Sequence, residues 1–303
     1  MDVLQGTDNH FSYLLTLSGS QSLPFNPDTY IIYTMQIIGV SITKSQVAKI
    51  LLILASLTIT VAWLNYTPSG LLGKMDAIGY AVCHRIDLRS FHLGERALPL
   101  CSRCSGMHLA AMFGFIFQLQ FGKKAKMPPI KILIVLAILA AAFAIDGLNS
   151  YLHFFPNAIW AYDPHNWLRL ITGSGLGMGI ALVLYPIVNQ TLWKNPINEP
   201  AIGNWKTFLL LCGLILIMDL ATLTENPMIL YPLAILSGFA VLLVLTLCYA
   251  LIVSMFIKKE NVYNNWKEAW VPILAGFSIA ITQTYIIDIL RYTFTGTWGG
   301  FNL

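Results

Sequence analysis

The chain has 303 residues, of which 56% are hydrophobic and only 11% charged, and its mean hydropathy is +0.67. Soluble domains carry about 25% charged residues, so half that share excludes a soluble globule. The abundance of Leu, Ile and Val with only five Cys excludes disordered, collagen-like and disulfide-scaffold chains. The formal net charge of +4 acquires meaning only from where the charges sit.

Taken in chain order, residues 1–46 read as a polar or interfacial segment. They carry Asp2 and Asp8 where a signal peptide has basic residues. The apolar run Tyr30–Ile42 is too short to span and reads as an interfacial helix. Seven runs then approach the roughly 20 apolar residues that a spanning helix needs: 47–66, 107–121, 130–146, 168–188, 205–222, 231–257 and 270–290. The second is short and extends backward through Cys104. Pro68, Pro128, Pro129, Pro196 and Pro232 fall at or between run ends, where helices break. The expectation is an all-α polytopic membrane protein, a bundle of about seven transmembrane helices with a Cys/His-rich loop capping one face. Residues 47–190 form a four-span core holding the 67–106 loop, and 191–303 a three-span extension.

Lysine and arginine separate along this pattern. Lys44 and Lys49 stand at the start of the first span, and Lys123, Lys124, Lys126, Lys131, Lys194, Lys206, Lys258, Lys259 and Lys267 lie in or at the edges of the connections after spans two, four and six, so that eleven of the twelve lysines share one side and Lys74 alone does not. The positive-inside rule makes that side cytoplasmic, placing the Cys/His loop outside a cell (plasma or inner) membrane. All six arginines, Arg85, Arg89, Arg96, Arg103, Arg169 and Arg291, fall on the other side. Arg presents a planar fork that grips carboxylate or phosphate at two points, whereas Lys is a hydrated point charge. One face therefore reads as topological and the other as chemical.

The loop between spans one and two carries Cys83-His84, His92 and Cys101-Ser-Arg-Cys104. A Cys-x-x-Cys turn brings two thiols close enough for one metal or one disulfide. Cys83 with His84 or His92 would complete three thiolates and one imidazole, a structural zinc set; iron is the other candidate metal. Arg103 and the N-terminus of the second span favour thiolate. A redox dithiol and a structural disulfide remain open alternatives. His108, four residues after Cys104, is another candidate ligand, while His10, His153 and His165 carry no spacing signal. Cys212 and Cys248, mid-span among apolar residues, read as small buried hydrophobes.

Charges near span ends all fall at the level of this loop: Asp146, Arg169, Asp219, Glu225, Asp288 and Arg291. Such charges are costly and mark functional sites by default. Asp146 and Arg169, on adjacent spans, are the expected pair, either as catalytic groups or as a structural ion pair. Asp288 and Arg291 are expected to satisfy each other at i, i+3, and Asp219 and Glu225 to sit among headgroups. Gly173-Ser-Gly175-Leu-Gly177-Met-Gly179 follows no strand, so its small-xxx-small pairs 173/177 and 175/179 read as helix packing rather than a nucleotide loop. No nucleophilic triad, Walker sequence or HExxH pattern is present, and nothing points to nucleic acid.

Cys83-His84, Arg89-Ser90-Phe91 and Leu100-Cys101-Ser102-Arg103-Cys104-Ser105-Gly106 resemble the signature of an uncharacterised prokaryotic membrane family, domain of unknown function 2085. Asp146-Gly147 and Asn166-x-x-Arg169-x-x-Thr172-Gly173 are similar to two further family features. The resemblance covers roughly residues 75–185. His92 and His108 stand where the family usually has aromatic residues, which implies that His84 is the site histidine. The family implies no activity.

The combined expectation is a metal site of Cys83, His84, Cys101 and Cys104, bracing a surface where Arg85, Arg89, Arg103, Arg169 and Asn166 meet an anionic lipid headgroup or phosphorylated ligand. Asp146 would orient Arg169 or act as a base. Two alternatives stand beside it: a thiol–disulfide oxidoreductase using Cys101 and Cys104, and a non-catalytic subunit that docks a membrane-protein partner.

Overall fold

A computed structural model describes residues 35–37, 40–155 and 157–300. Backbone contacts divide the chain into two units, Met1–Val47 and Ala48–Leu303. In the first, strands β1 (Met35–Ile37) and β2 (Val40–Ile42) pair antiparallel with Met35 opposite Ile42. They correct the expected interfacial helix over that stretch, since Ile37, Val40 and Ile42 are β-branched and favour an extended backbone. Residues 30–34 and 38–39 of the same expectation, and His10, lie outside the described residues. Helix α1 (Lys44–Tyr66) opens on a reciprocal cap in which the Gln46 amide donates to Thr43 Oγ1 (3.3 Å) and the Thr43 amide to Gln46 Oε1 (2.8 Å).

The remaining helices are α2 (Leu71–Val82), α3 (Ser102–Leu119), α4 (Ile130–Leu152), α5 (Asn166–Leu192), α6 (Trp205–Leu223), α7 (Pro227–Phe256) and α8 (Trp270–Thr295). Each of the seven expected runs is a helix, and the fold is an all-α polytopic membrane protein. Six of the helices, α1 and α4 through α8, are long and apolar enough to cross a membrane. Of the seven expected runs, the one that falls short is α3, which carries Arg103, His108 and Gln118. Its surroundings account for its polarity: α3 lies between α5 and α7 and is largely buried by protein. By contrast α1 is scarcely buried, and its Leu and Ile side chains face outward.

The closest helix crossing is α3 on α5. Gly106, Ala110 and Gly114 repeat at four-residue spacing on α3, and Gly173, Gly177 and Ala181 do so on α5. A Cβ at Gly173 would run into the Arg103 carbonyl, one at Gly177 into the Met107 carbonyl, and one at Gly106 into the Leu170 carbonyl. The 173/177 pair is thus a packing motif, as expected. Gly175 instead faces Leu139, and Gly179 faces open space.

The 67–106 stretch is more structured than a loop. It contains α2, a 3-10 turn at Asp87–Arg89, and a hairpin of β3 (His92–Leu93) and β4 (Arg96–Ala97). Helix α2 packs against both α7 and α8. At the far end, β5 (Lys124–Lys126) and β6 (Ile197–Pro200) pair in parallel, tying together the connections that follow α3 and α5.

Candidate metal centre and arginine cluster

Cys83 meets the Cys101 and Cys104 pair at the N-terminus of α3. Cys83 ends α2 and Cys101 is the residue immediately before α3. The close approach of Pro99 to Gly79 brings them together, for a Cβ at Gly79 would overlap the Pro99 carbonyl. The Cys83, Cys101 and Cys104 sulfurs all lie within 4.8 Å of one another. Ligands on one tetrahedral zinc with about 2.3 Å bonds stand about 3.8 Å apart, so the three thiols fit a single ion. His84 Nδ1 is 3.6 Å from Cys83 Sγ but is not within 4.8 Å of all three sulfurs. His108 Nδ1 donates to the Cys104 carbonyl (2.9 Å), one helical turn back. The His92 imidazole pairs with Asp87 at 3.0 Å.

Cys83 is the sulfur at which backbone N–H groups are directed. Its sulfur accepts the backbone N–H groups of Arg85 (3.5 Å) and Cys101 (3.4 Å). The first requires Arg85 to adopt a left-handed backbone with φ 52°, a conformation that costs an L-residue about 1–2 kcal/mol. Hydrogen bonds from Cys101 and Cys104 hold the Cys83 thiol well below its ordinary range. The Cys101 thiol is pushed up to about 12: its hydrogen bond with Cys104 lowers it, but its bond to Cys83, burial and the neighbouring negative charge outweigh that. A bound dication would favour ionisation of all three thiols.

Beside the thiols lies a cluster of three guanidinium groups around one carboxylate. Arg103, between the two cysteines of the Cys-x-x-Cys turn, is ion-paired with Asp146 and donates to Ser150 Oγ at 3.0 Å. Asp146 also accepts from Tyr162 Oη (3.0 Å) and Thr172 Oγ1 (3.3 Å). Arg169 donates to Asn166 Oδ1 at 2.8 Å, and Asn166 Nδ2 donates to the carbonyls of Leu88 and Ser90. Arg89 donates to the Ser150 carbonyl at 2.6 Å and stacks 3.7 Å from the Phe154 ring centre. Burial and the charges of Arg169 and Arg103 bring the Arg89 guanidinium down to about 10. Burial and the hydrogen bond to Asp146 push the Tyr162 phenol up.

These contacts correct several expected pairings. The carboxylate partner of Asp146 is Arg103, not Arg169, because Gly173 lets the α3 backbone press against α5 and swings Arg103 under Asp146. Arg85 stands apart from the cluster, ion-paired with Asp76 (2.8 Å) and donating to the Trp298 carbonyl (2.9 Å). Asp288 and Arg291 do interact electrostatically, as expected, and each has further partners: Arg291 donates to the carbonyls of Cys83 (2.7 Å) and His84 (3.2 Å), and Asp288 accepts from Trp63 Nε1 (2.9 Å). Asp219 is buried rather than among headgroups and accepts from Ser174 Oγ at 2.6 Å.

Sequence reasoning missed Asp76, which binds both Arg85 and Arg96, and Tyr162. It also missed Asn149, whose amide holds the 161–162 backbone in place, and Ser150. Asn149 and Ser150 lie three and four residues after Asp146, on the same helix face, and that spacing is the signal that would have found them.

Residues 83–183 match the model of the family described as "Predicted membrane protein (DUF2085)". An uncharacterised protein of Methanothermobacter thermautotrophicus is 29% identical over 102 residues, which are 34% of this chain and 83% of that protein. One of Methanocaldococcus jannaschii is 28% identical over 121 residues, 39% of this chain and 70% of that protein. No solved structure matches. The matched stretch begins at Cys83 and runs through Cys101, Arg103, Cys104, Asp146, Asn166 and Arg169, so it is the part of the chain similar to the DUF2085 membrane family that carries both the thiol trio and the arginine cluster.

Proposed function

We infer that this membrane protein holds a metal ion, zinc by the donor set, on Cys83, Cys101 and Cys104, and that the metal braces an arginine-lined site for an anionic ligand at the same face. The observation that carries the reading is the convergence of three sulfurs within 4.8 Å of one another. They stand at a helix N-terminus, and Arg103 of the same turn reaches into the neighbouring cluster. The donor chemistry fits: thiolates suit zinc and iron–sulfur chemistry rather than magnesium or calcium. His84, whose Nδ1 is 3.6 Å from Cys83 Sγ, is the imidazole proposed for a fourth position; otherwise that position stays open. Zinc bound here would offset two of the three thiolate charges and lock α2 to α3. Asp146 acts through Arg103 and Thr172 as a positioning group. Asn166 orients Arg169 and ties it to the Arg89-Ser90-Phe91 segment. The lysine distribution supports an orientation with this face outside the cell membrane.

The test is metal content and thiol titration on one detergent-purified sample, before and after chelation. About one zinc per chain is expected, with the three loop thiols reacting only after chelation. Cys101→Ala and Cys104→Ala should each lose the metal while membrane insertion is unchanged, and metal retained by both variants would remove the reading. A metal-free protein with a reversible Cys101–Cys104 disulfide would establish the oxidoreductase instead. The burial of Cys83 and Cys101 weighs against that outcome, because a redox dithiol must meet its partner.

A further inference from the structure

The arginine cluster has more charge than its protein partners balance. Arg89, Arg103 and Arg169 repel one another, and Asp146 is the carboxylate ion-paired within the cluster. Arg89 and Arg169 are 7% and 6% exposed. The Nε atoms of Arg103 and Arg169 are buried with no hydrogen-bond partner among the described residues. A buried guanidinium N–H without a partner is unfavourable, and an anionic acceptor would satisfy it. Arg89 and Arg169 also line one cavity of about 210 Å3, with His153, Phe154 and Pro164 among its other walls. That is smaller than the roughly 300–1,000 Å3 of a site enclosing a drug-sized molecule, so it admits a headgroup rather than a whole lipid. The imidazole of His153 lies 3.9 Å from the exposed Asp163 carboxylate at the rim.

Building on the anion-site reading above, we propose that this cavity binds a phosphate dianion, the phosphoryl group of a phosphomonoester or free inorganic phosphate, between Arg89 and Arg169. Asp146 is matched by Arg103, whereas Arg89 and Arg169, the two guanidinium groups that line the cavity, have no carboxylate ion pair among the described residues; a dianion balances those two charges and a monoanionic phosphodiester does not. Planar guanidinium forks grip tetrahedral phosphate oxygens in pairs. Arg103, already committed to Asp146, contributes charge from behind rather than a direct fork.

The experiment uses the full chain with its metal. Binding of inorganic phosphate in detergent is measured by calorimetry, and binding to nanodiscs compares phosphatidic acid with phosphatidylglycerol. Phosphate or phosphatidic acid should bind, with phosphatidylglycerol weaker by about tenfold or more. Arg169→Gln should weaken binding by about tenfold to a hundredfold, and Lys124→Gln at the opposite end should leave it unchanged. If Arg169→Gln does not fold, Arg169→Lys keeps the charge, removes the fork and should still weaken binding. Binding of inorganic phosphate identifies a soluble source, and binding of phosphatidic acid alone identifies a lipid headgroup; either supports the proposal. Equal affinity for phosphatidylglycerol would overturn the dianion and leave the anion site standing. No binding of any anion by metal-loaded protein would overturn both, with the thiol metal site unaffected.

Discussion

The two ends of the bundle solve the problem of placing cations in opposite ways. At the end carrying β5 and β6, Lys126, Lys131, Lys194, Lys206, Lys258, Lys259 and Lys267 are exposed. The ion pair there, Lys124 with Glu199 at 3.1 Å, has side chains 27% and 65% exposed. At the thiol end, Arg89 and Arg169 are buried, and Arg85, Arg103 and Arg291 are half-buried among carbonyls and carboxylates. The difference follows from the side chains. Lys keeps its hydration and serves as a topological marker, while the weakly hydrated Arg fork tolerates burial where several acceptors meet it. Among the described residues, buried cations occur only at the thiol end, where Arg96 is the exposed exception.

Substitutions that interrogate this contrast should differ in size. The largest effect is expected for Asp146→Asn, which leaves Arg103 without its counter-charge beside two other guanidinium groups. A loss of about 3–5 kcal/mol is expected on breaking a buried pair, read as a fall in the denaturation midpoint. A change indistinguishable from wild type would mean that the cluster is solvated like the lysine end. Arg103→Lys comes next. It keeps the charge but cannot reach Asp146 and Ser150 together, so about 1–3 kcal/mol should be lost by the same assay. The smallest effect belongs to Lys124→Ala, at most about 1 kcal/mol and reduced further by salt. A larger loss there would erase the distinction between the two ends.

Much of the helical framework was legible because apolar runs of this length have one stable solution in a membrane. The helices extend past the expected limits where polar residues are buried by protein rather than exposed to lipid. Helix α4 runs on from Ala144 through Asp146, Asn149 and Ser150 to Leu152 for this reason. Helix α2 was unreadable as an element because, at 12 residues with Lys74 and Asp76, it matches neither a span nor a loop. At the site, the cysteine spacing pointed to three of the residues that meet. The pairing of Asp146 went wrong because adjacency in sequence favoured Arg169. Adjacency in space is set instead by Gly106, Gly173 and Gly177, whose missing side chains bring α3 against α5. The separation of Arg85 from its neighbours depends on Asp76 and the Trp298 carbonyl, 213 residues away in the latter case. No local pattern encodes that contact.

The polarity of α3 has a consequence for how the protein is made. A helix that carries Arg103, His108 and Gln118, and falls short of its neighbours in apolar character, has a weak claim to enter the bilayer when it leaves the insertion machinery alone. Its place is secured by the glycine-lined surface of α5, which is synthesised about fifty residues later, and by α7 later still. The residues on α3 that look least suited to lipid are thus the ones whose placement depends on partners made after it.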